Sequence, residues 1–250
     1  MEPGKIYFAS DFHFGIPNRK ESRKREEKFI RWLDEIKSDA KELYLLGDMF
    51  DFWFEYGKVI PKGYVRLLGK LAELKDGGIE IHFFKGNHDL WMFGYFQEEI
   101  GIKVYDKPII KEYNGLKFFI GHGDGLGPGD YSYKALKVIF TNKLCQWLFS
   151  WLHPDIGISL ALLWSRLSRR KNELKKMNEY KGNDKEYLFN FCEDRLKKEH
   201  FDYFILGHRH LMLNIELNEK SRYINLGDWI SLFSYAVFDG QSIKQHQYEH

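Results

Sequence analysis

Short apolar runs alternate in the first third of the chain with longer segments that carry apolar residues at helical spacing. The runs at 6–10, 42–46 and 79–84 predict buried strands, and the segments at 21–37 and 65–75 predict amphipathic helices. A strand–helix rhythm of this kind is typical of parallel crossover units. Ligands gather at the carboxyl ends of the strands in such sheets, so function is expected at that edge.

The pattern changes twice in the rest of the chain. After a short helix predicted at 95–100, two apolar runs flank Asn114-Gly115, a dipeptide that strongly indicates a β-hairpin. From about 131 to about 199 the pattern is helical, and a further helix is predicted at about 185–199. Strands are predicted in the hairpin and again near the end, the last three of them antiparallel, at 108–113, 116–120, 203–206, 213–217, 223–226 and 235–238.

The helical stretch is unusually apolar. Residues 138–164 are dense in large apolar side chains, and His153-Pro154-Asp155 divides them into two helices, because proline suits a first helical turn. A basic run follows, made of Arg166, Arg169, Arg170, Lys171, Lys175 and Lys176. One interpretation is a cover for a lipid with a phosphate group; the other is ordinary helix packing beside a solvated charged face.

We therefore predict one α/β domain over residues 1–250, with a helical cap inserted at about 131–199. The composition, 44% hydrophobic and 30% charged, fits a globular protein, and a formal net charge of +2 implies no global attraction to polyanions such as nucleic acid. Two cysteines without metal-type spacing, no signal peptide and no apolar run of about 18 residues favour a cytoplasmic protein. Lying on a membrane surface stays compatible with these features.

Five short polar clusters carry the candidate chemistry. Each follows an apolar run of a predicted strand and places Asp, Asn or His at its end. The clusters are Asp11-Phe12-His13, Gly47-Asp48-Met49-Phe50-Asp51, Gly86-Asn87-His88-Asp89, Gly121-His122-Gly123-Asp124 and Gly207-His208-Arg209-His210.

The residue types in these clusters suit divalent first-row ions, since carboxylate, amide and imidazole ligands are mixed. In an extended chain residues two apart face the same side, so Asp11 and His13 are expected to face one ion. Seven candidate ligands are too many for one ion and suit two, which together neutralise both the attacking and the leaving oxygens of a displacement at phosphorus. Taken singly, these residues have other readings: structural histidines, helix caps at Asp11 and Asp48, or caps and partners of ligands at Asp51, Asp89 and Asp124.

The order of the five clusters resembles that of the calcineurin-like metallophosphoesterases. The resemblance implies a two-sheet sandwich flanked by helices, and two metal sites that share Asp48. One site would contain Asp11, His13, Asp48 and His210, and the other Asp48, Asn87, His122 and His208. The resemblance also implies that Asp48, Asn87 and His88 are catalytic, with His88 contacting the phosphate and helping the leaving group.

The arrangement is also similar to that of the bacterial UDP-2,3-diacylglucosamine diphosphatases of lipid A biosynthesis, in which a helical insertion at this place covers the acyl chains. The run from Gly123 to Tyr131 resembles that family's segment. One departure is His88, where the best-known branch has Arg. The resemblance implies substrate contacts by Asn87, His88, Asp130, Ser168, Asn172, Lys175 and His208.

That resemblance implies a hydrolase that cleaves the diphosphate bond of UDP-2,3-diacylglucosamine. The products would be UMP and 2,3-diacylglucosamine 1-phosphate, the cofactors two Mn²⁺ or other divalent ions, and the location the cytoplasmic face of the inner membrane as a peripheral protein. Two alternatives stay open. One is a metallophosphoesterase for another nucleotide-linked lipid or a soluble phosphoester, and the other is a non-catalytic lipid-binding protein.

Overall fold

The computed structural model describes residues 4–127, 131–174, 179–180 and 182–249, without the side chains of 132 and 170–174. The strands in this part of the chain are β1 Lys5–Ala9, β2 Ala40–Leu46, β3 Glu80–Phe84, β4 Lys103–Tyr105, β5 Ile109–Tyr113, β6 Leu116–Ile120, β7 Tyr203–Leu206, β8 Met212–Asn218, β9 Ser221–Leu226, β10 Ser234–Phe238 and β11 Ile243–Gln247. The α-helices are α1 Arg19–Ile36, α2 Val65–Asp76, α3 Tyr95–Glu99, α4 Tyr131–Thr141, α5 Lys143–Ser150, α6 Pro154–Leu174 and α7 Tyr187–Leu196.

Two mixed sheets form the centre of the protein. The first has the strand order β11-β10-β1-β2-β3-β4, in which β1, β2, β3 and β4 are parallel, as the crossover pattern predicts. The second has the order β5-β6-β7-β9-β8, in which β6, β7 and β9 are parallel. The predicted hairpin joins β5 to β6, and both Asn114 and Gly115 adopt the left-handed backbone that its tight turn requires.

Alternation along the strands builds three apolar layers, because successive side chains of a strand point to opposite faces. Phe8 of β1 packs between the sheets, whereas its neighbour Tyr7 faces α1 and α2. The outer face of the second sheet packs against α7 through Leu188 and Cys192. The predicted two-sheet sandwich with flanking helices is therefore confirmed.

The cap differs from the prediction in its details. The break at His153-Pro154 is present, and Asn142 makes a second break, because its side chain accepts hydrogen bonds from the first backbone N–H groups of α5. Within the range predicted as cap, α4, α5 and α6 form an exposed helical layer, while α7 packs on the second sheet. Strands β4 and β11 were not predicted, and β9 pairs in parallel with β7 as well as antiparallel with β8.

Candidate metal centre

Every candidate ligand lies in a loop at the carboxyl end of a parallel strand. Hydrogen bonds join these loops across the two sheets. The backbone N–H of His208, after β7, donates to Asp11 Oδ2, after β1, at 2.8 Å, and Nδ1 of His122, after β6, lies 2.6 Å from the carbonyl oxygen of Leu46 in β2. The sandwich therefore places residues from distant parts of the chain around one point.

The backbone at these ligands is not extended. Five of them adopt positive φ angles between 45° and 70°: Asp11, His13, Asp48, His208 and His210. Asp11 and His13 were expected to face one ion because residues two apart in an extended strand point to the same side. That reason was wrong, since the chain is not extended at either residue. Asp11 and His13 do lie together, but left-handed turns bring them there, and His208 and His210 join different groups of ligands.

Two groups of three side chains could each hold an ion. Asp11, His13 and His210 offer ligand atoms that lie within 4.8 Å of one another, and Asp48, His122 and His208 offer a second such set. Oδ2 of Asp48 is 3.5 Å from His13 Nε2 and 3.5 Å from His122 Nε2. Asp48 thus lies between the two groups, where a shared carboxylate would be needed.

The donor set fits divalent cations. Asp11 Oδ1 and His13 Nε2 are buried and have no hydrogen-bond partner among the described residues. An unsatisfied buried polar atom costs about 1–3 kcal/mol, a cost that coordination of a cation would remove. A mixture of carboxylate oxygens, an amide oxygen and imidazole nitrogens suits first-row divalent ions.

Burial and the neighbouring charged groups shift the pKa values of the candidate histidine ligands in opposite directions. Burial alone lowers the pKa of His122, but the nearby Asp48 carboxylate outweighs it and raises that pKa to about 10. The pKa of His208 is lowered to about 4, first by burial and then by repulsion from His122. Because a metal ligand must be deprotonated, binding of a cation would displace the His122 proton.

Asn87 and His88 border the centre from the loop after β3. Asn87 Oδ1 is 3.4 Å from His122 Nε2, and the backbone N–H of His88 donates to Asp48 Oδ1 at 2.8 Å. The His88 ring lies edge-on to the His13 ring, with centroids 4.6 Å apart. Its Nδ1 is 3.0 Å from the carbonyl oxygen of Asp51 and 3.2 Å from Ser165 Oγ of α6.

The sequence did not decide whether Asp51 and Asp89 cap helices or support metal ligands. In the structure they contact a candidate ligand or the loops that carry the ligands. Asp51 Oδ1 lies 3.4 Å from His13 Nδ1. Asp89 accepts hydrogen bonds from the backbone N–H groups of Gly86 and Met49 and so joins two of the loops. Burial and the nearby Asp48 raise the pKa of Asp89 to about 7.

The sequence interpretation missed Asp228. Its Oδ2 lies 3.6 Å from His210 Nδ1, and it follows β9 in a Gly-Asp pair. Gly47-Asp48 has the same strand-then-Gly-Asp pattern, so the signal was present in the sequence. Burial raises the pKa of Asp228, but the contact with His210 and hydrogen bonds from the backbone N–H groups of Ser231 and Leu232 lower it to about 2.

Two cap helices reach the centre with polar side chains. From α6, Arg169 hydrogen-bonds to Asp51 and also to Ser165 Oγ at 2.7 Å. From α4, Tyr133 Oη and Lys137 Nζ each lie 2.5 Å from Asp124 Oδ2. None of these roles was assigned from the sequence, although Arg169 lies in the predicted basic run.

The predicted head-group contacts are described only in part. Ser168 lies on α6 and is exposed. Asn172 lies on the same helix, and its side chain is outside the described part of the chain. Asp130 and Lys175 lie outside the described residues altogether.

The fold and the strand-end ligands define a metal-dependent phosphoesterase, a class of hydrolase. A family model described as calcineurin-like phosphoesterase matches residues 4–212, and the chain belongs to that family.

Relatives with a more specific description cover nearly the whole chain. The chain is 39% identical over 254 residues to a UDP-2,3-diacylglucosamine hydrolase of Porphyromonas gingivalis, covering 96% of this chain and 95% of the relative. It is 26% identical to a protein of that description in Vibrio atlanticus, covering 96% of both chains. A third, in Histophilus somni, is 29% identical, covering 90% of this chain and 92% of the relative.

Proposed function

We propose that this protein hydrolyses the diphosphate bond of UDP-2,3-diacylglucosamine, releasing UMP and 2,3-diacylglucosamine 1-phosphate. The observation that carries the proposal is the exposed apolar cap beside the metal centre. Helix α5 has no fully buried side chain, and Trp147 on this helix and Trp151 directly after it are 55% and 74% exposed. Helix α6 presents further large apolar side chains while it also reaches the metal centre with Arg169. Relatives described as acting on this lipid nucleotide support the same substrate.

Two divalent ions, Mn²⁺ in our proposal, would be held by the strand-end ligands. Bound there, they would lower the pKa of a water molecule and stabilise negative charge on the phosphate oxygens. Asp48 would be shared by the two ions, since its Oδ2 is 3.5 Å from both His13 Nε2 and His122 Nε2. The first group is completed by Asp11, His13 and His210, and the second by Asn87, His122 and His208.

The residues around the ions have separate roles in this proposal. His88 stabilises charge on the phosphate or donates a proton to the departing oxygen, since its ring lies beside His13 and within reach of Ser165. Its backbone N–H holds Asp48 in place. Asp51 fixes the orientation of the His13 ring, and Arg169 fixes Asp51.

Substrate contacts are proposed on both sides of the centre. Ser168 and Asn172 lie on α6, three and seven residues beyond Ser165, so this helix would carry head-group contacts as well as its apolar side chains. The full proposed set of substrate-contacting residues is Asn87, His88, Asp130, Ser168, Asn172, Lys175 and His208.

A lipid substrate requires contact with a bilayer. No helix in the described ranges is long and apolar enough to cross one. The exposed Trp and Leu side chains of α5 and α6 would instead lie in the membrane interface, with the Arg and Lys residues of the cap near anionic head groups. We place the protein at the cytoplasmic face of the inner membrane as a peripheral enzyme.

The test is hydrolysis of purified UDP-2,3-diacylglucosamine in the presence of Mn²⁺, with release of UMP as the readout. Bis-p-nitrophenyl phosphate is the generic substrate, and Asn87→Ala is the variant with a damaged metal site. We expect UMP release from the unmodified protein and a loss of at least about a hundredfold in the variant, because a lost ligand costs more than the 10–100-fold typical of its supporting residues. If only the generic ester is hydrolysed, the result would support the assignment of the metal centre and refute the proposed lipid substrate.

A further inference from the structure

A cleft of about 590 Å³ opens on one side of the metal centre. Its volume falls in the range of about 300–1,000 Å³ that is usual for small-molecule sites. One end reaches His122 and Asp124, and the walls come from the β4–β5 loop, helix α4 and helix α7. The cap residues Ser165, Ser168 and Arg169 of α6 do not line it.

The cleft and the cap polar residues serve different halves of the centre. Ser165 and Arg169 contact His88 and Asp51, next to His13. The cleft instead ends at His122, which lies with Asp48 and His208. A diphosphate whose reacting phosphorus is held at the centre would therefore extend one substituent toward α6 and the other into the cleft.

The walls of the cleft combine aromatic rings with cations. The half-buried rings of Tyr105 and Phe191 line the cleft. The buried rings of Phe84 and Phe119 pack against them, with centroids 4.9 Å from Tyr105 and 5.6 Å from Phe191, respectively. Among the described residues, two carboxylates line it, Asp106 and Asp124, and each is paired with a lysine. The cationic side chains of the lining are Lys85, Lys107, Lys134, Lys137 and Arg195.

We propose that this cleft binds the nucleotide half of the substrate, a pyrimidine nucleoside monophosphate. This inference rests on the proposed function and assigns the nucleotide end of its substrate to the cleft. An aromatic wall suits the flat base, and ammonium groups donate to the base carbonyl oxygens, the ribose hydroxyls and the phosphate. In this proposal water attacks the phosphorus of the nucleotide half, so that this phosphorus lies next to His122 and Asp48, at the end of the cleft.

The acyl chains fit the cleft poorly. Lys85, Lys134 and Lys137 already contact oxygen atoms at 2.5–2.6 Å along its walls, and burying these cations under hydrocarbon would cost their hydration. The exposed apolar side chains of α5 and α6 offer the chains a surface without that cost. The cations along the cleft and the exposed apolar side chains of the cap thus assign the two ends of the substrate to different surfaces.

Two residues allow the assignment to be tested without disturbing the metal ligands. Lys107 is exposed on the β4–β5 loop, directly beyond the paired Asp106. Phe191 is half-buried on α7, and leucine keeps most of its apolar volume while removing its aromatic face. Lys198, just beyond the end of α7 and outside the cleft lining, provides a matched charge reversal.

The experiment is calorimetric titration of the Mn²⁺-loaded protein with UMP, and with inorganic phosphate as the probe for the metal centre alone. We expect Lys107→Glu to weaken UMP binding about tenfold, because the variant replaces an attractive charge near the phosphate with a repulsive one. Phe191→Leu should weaken UMP about fivefold and leave phosphate unchanged, because stacking on an aromatic ring contributes about 1 kcal/mol. Lys198→Glu should leave both dissociation constants unchanged.

The outcomes separate this inference from the proposed function. If UMP fails to bind the unmodified protein at millimolar concentration, or if the cleft variants bind UMP as the unmodified protein does, the cleft assignment is wrong. It is also wrong if Phe191→Leu weakens phosphate and UMP equally. If UMP responds as expected while UDP-2,3-diacylglucosamine is not cleaved, the nucleotide cleft stands and the lipid substrate is wrong.

Discussion

The guanidinium of Arg169, on the longest helix of the cap, hydrogen-bonds to the Asp51 carboxylate beside the candidate metal ligand His13. Asp51 is fully buried, and its pKa is lowered to about 2: burial raises it, but contacts with His13, His88 and Arg169 outweigh burial. The cap is therefore tied to the ligand shell by a charge pair.

Removal of this pair should reduce activity without unfolding the protein. We expect Arg169→Ala to lower kcat/KM about 10–100-fold, the usual effect of losing a residue that supports a metal ligand. Arg166→Ala, at an exposed position of the same helix, is the control, and its kcat/KM should be close to that of the unmodified protein. Mn²⁺ affinity measured alongside activity distinguishes the two roles of Arg169, because a residue that only fastened the cap would leave that affinity unchanged.

Asp228 should matter for metal affinity although it belongs to none of the ligand groups. Its contact with His210 Nδ1 orients that ring, so Asp228→Asn is expected to weaken Mn²⁺ binding about 10–100-fold. Calorimetric titration with Mn²⁺ measures the effect. Asp194→Asn, on the exposed surface of α7, supplies the control, and equal affinity in the two variants would contradict the role given to Asp228.

Gly86 is required because no larger residue fits at this position, and not because it takes part in the reaction. A Cβ added there would lie 2.5 Å from the backbone nitrogen of Asp48, closer than Cβ atoms approach other atoms. We expect Gly86→Ala to displace the shared ligand and abolish hydrolysis of both the generic and the lipid substrate. Gly69→Ala, in α2 where a Cβ meets nothing within 4 Å, should keep activity and stabilise the helix by about 0.5–1 kcal/mol. Thermal unfolding measures the stability of the two variants, and turnover of the generic and the lipid substrate measures their activity.

Glu42 should stabilise the fold in a pH-dependent way. It is buried between the sheets, where Oε2 accepts hydrogen bonds from Tyr44 and Tyr113 and lies 3.1 Å from His82 Nε2. Burial raises its pKa, and these hydrogen bonds outweigh burial and lower it to about 2. Because the folded pKa lies below the unfolded value, the stabilisation is complete above about pH 4.5 and is lost as the pH falls toward 2.

Glu42→Gln is the variant that tests this network. Urea unfolding at pH 7 should show a loss on the order of 2–3 kcal/mol, and the difference from the unmodified protein should shrink between pH 5 and pH 3. A difference that stays constant over that range would mean that the charge of Glu42 contributes nothing. Glu216→Gln, on an exposed face of β8, is the control for losing a carboxylate.

Membrane contact is predicted to depend on α5. Replacing both Trp147 and Trp151 by Asp should weaken sedimentation with vesicles of anionic phospholipid by at least about tenfold, because two interfacial aromatic residues are lost and two negative charges gained. Hydrolysis of the soluble generic ester should be unchanged, since neither tryptophan lies at the metal centre. Unchanged binding to vesicles would refute α5 as the membrane contact.

Local signals in the sequence predicted most of the strands and the loops that carry the candidate ligands, whereas the two-sheet sandwich was implied by the resemblance to a known family. Periodicity identified most strands, and each of the five clusters follows one. Contacts that join distant segments leave no such signal. The pair of Arg169 with Asp51 joins residues 118 positions apart, and nothing around either residue indicates the other.

The backbone conformation at the candidate ligands was the second feature that the sequence did not predict. Extended geometry was assumed for Asp11 and His13, whereas both adopt left-handed turns. Positive φ is uncommon for residues other than glycine, although Asp and His adopt it more often than most, so tertiary hydrogen bonds are needed to select it. The backbone N–H groups of Phe12 and His13 both donate to the carbonyl oxygen of Asp48, which supplies that selection.

The three cap helices form one continuous stretch between β6 and α7, while the metal ligands come from five loops spread from Asp11 to His210. A change of chemistry would thus require coordinated substitutions in many places, whereas a change at the lipid end of the substrate would require replacement of a single segment. In evolution the catalytic loops can stay fixed while the inserted helices diverge. For engineering, exchange of residues 131–174 between relatives is the natural unit for transferring specificity for the lipid end of the substrate.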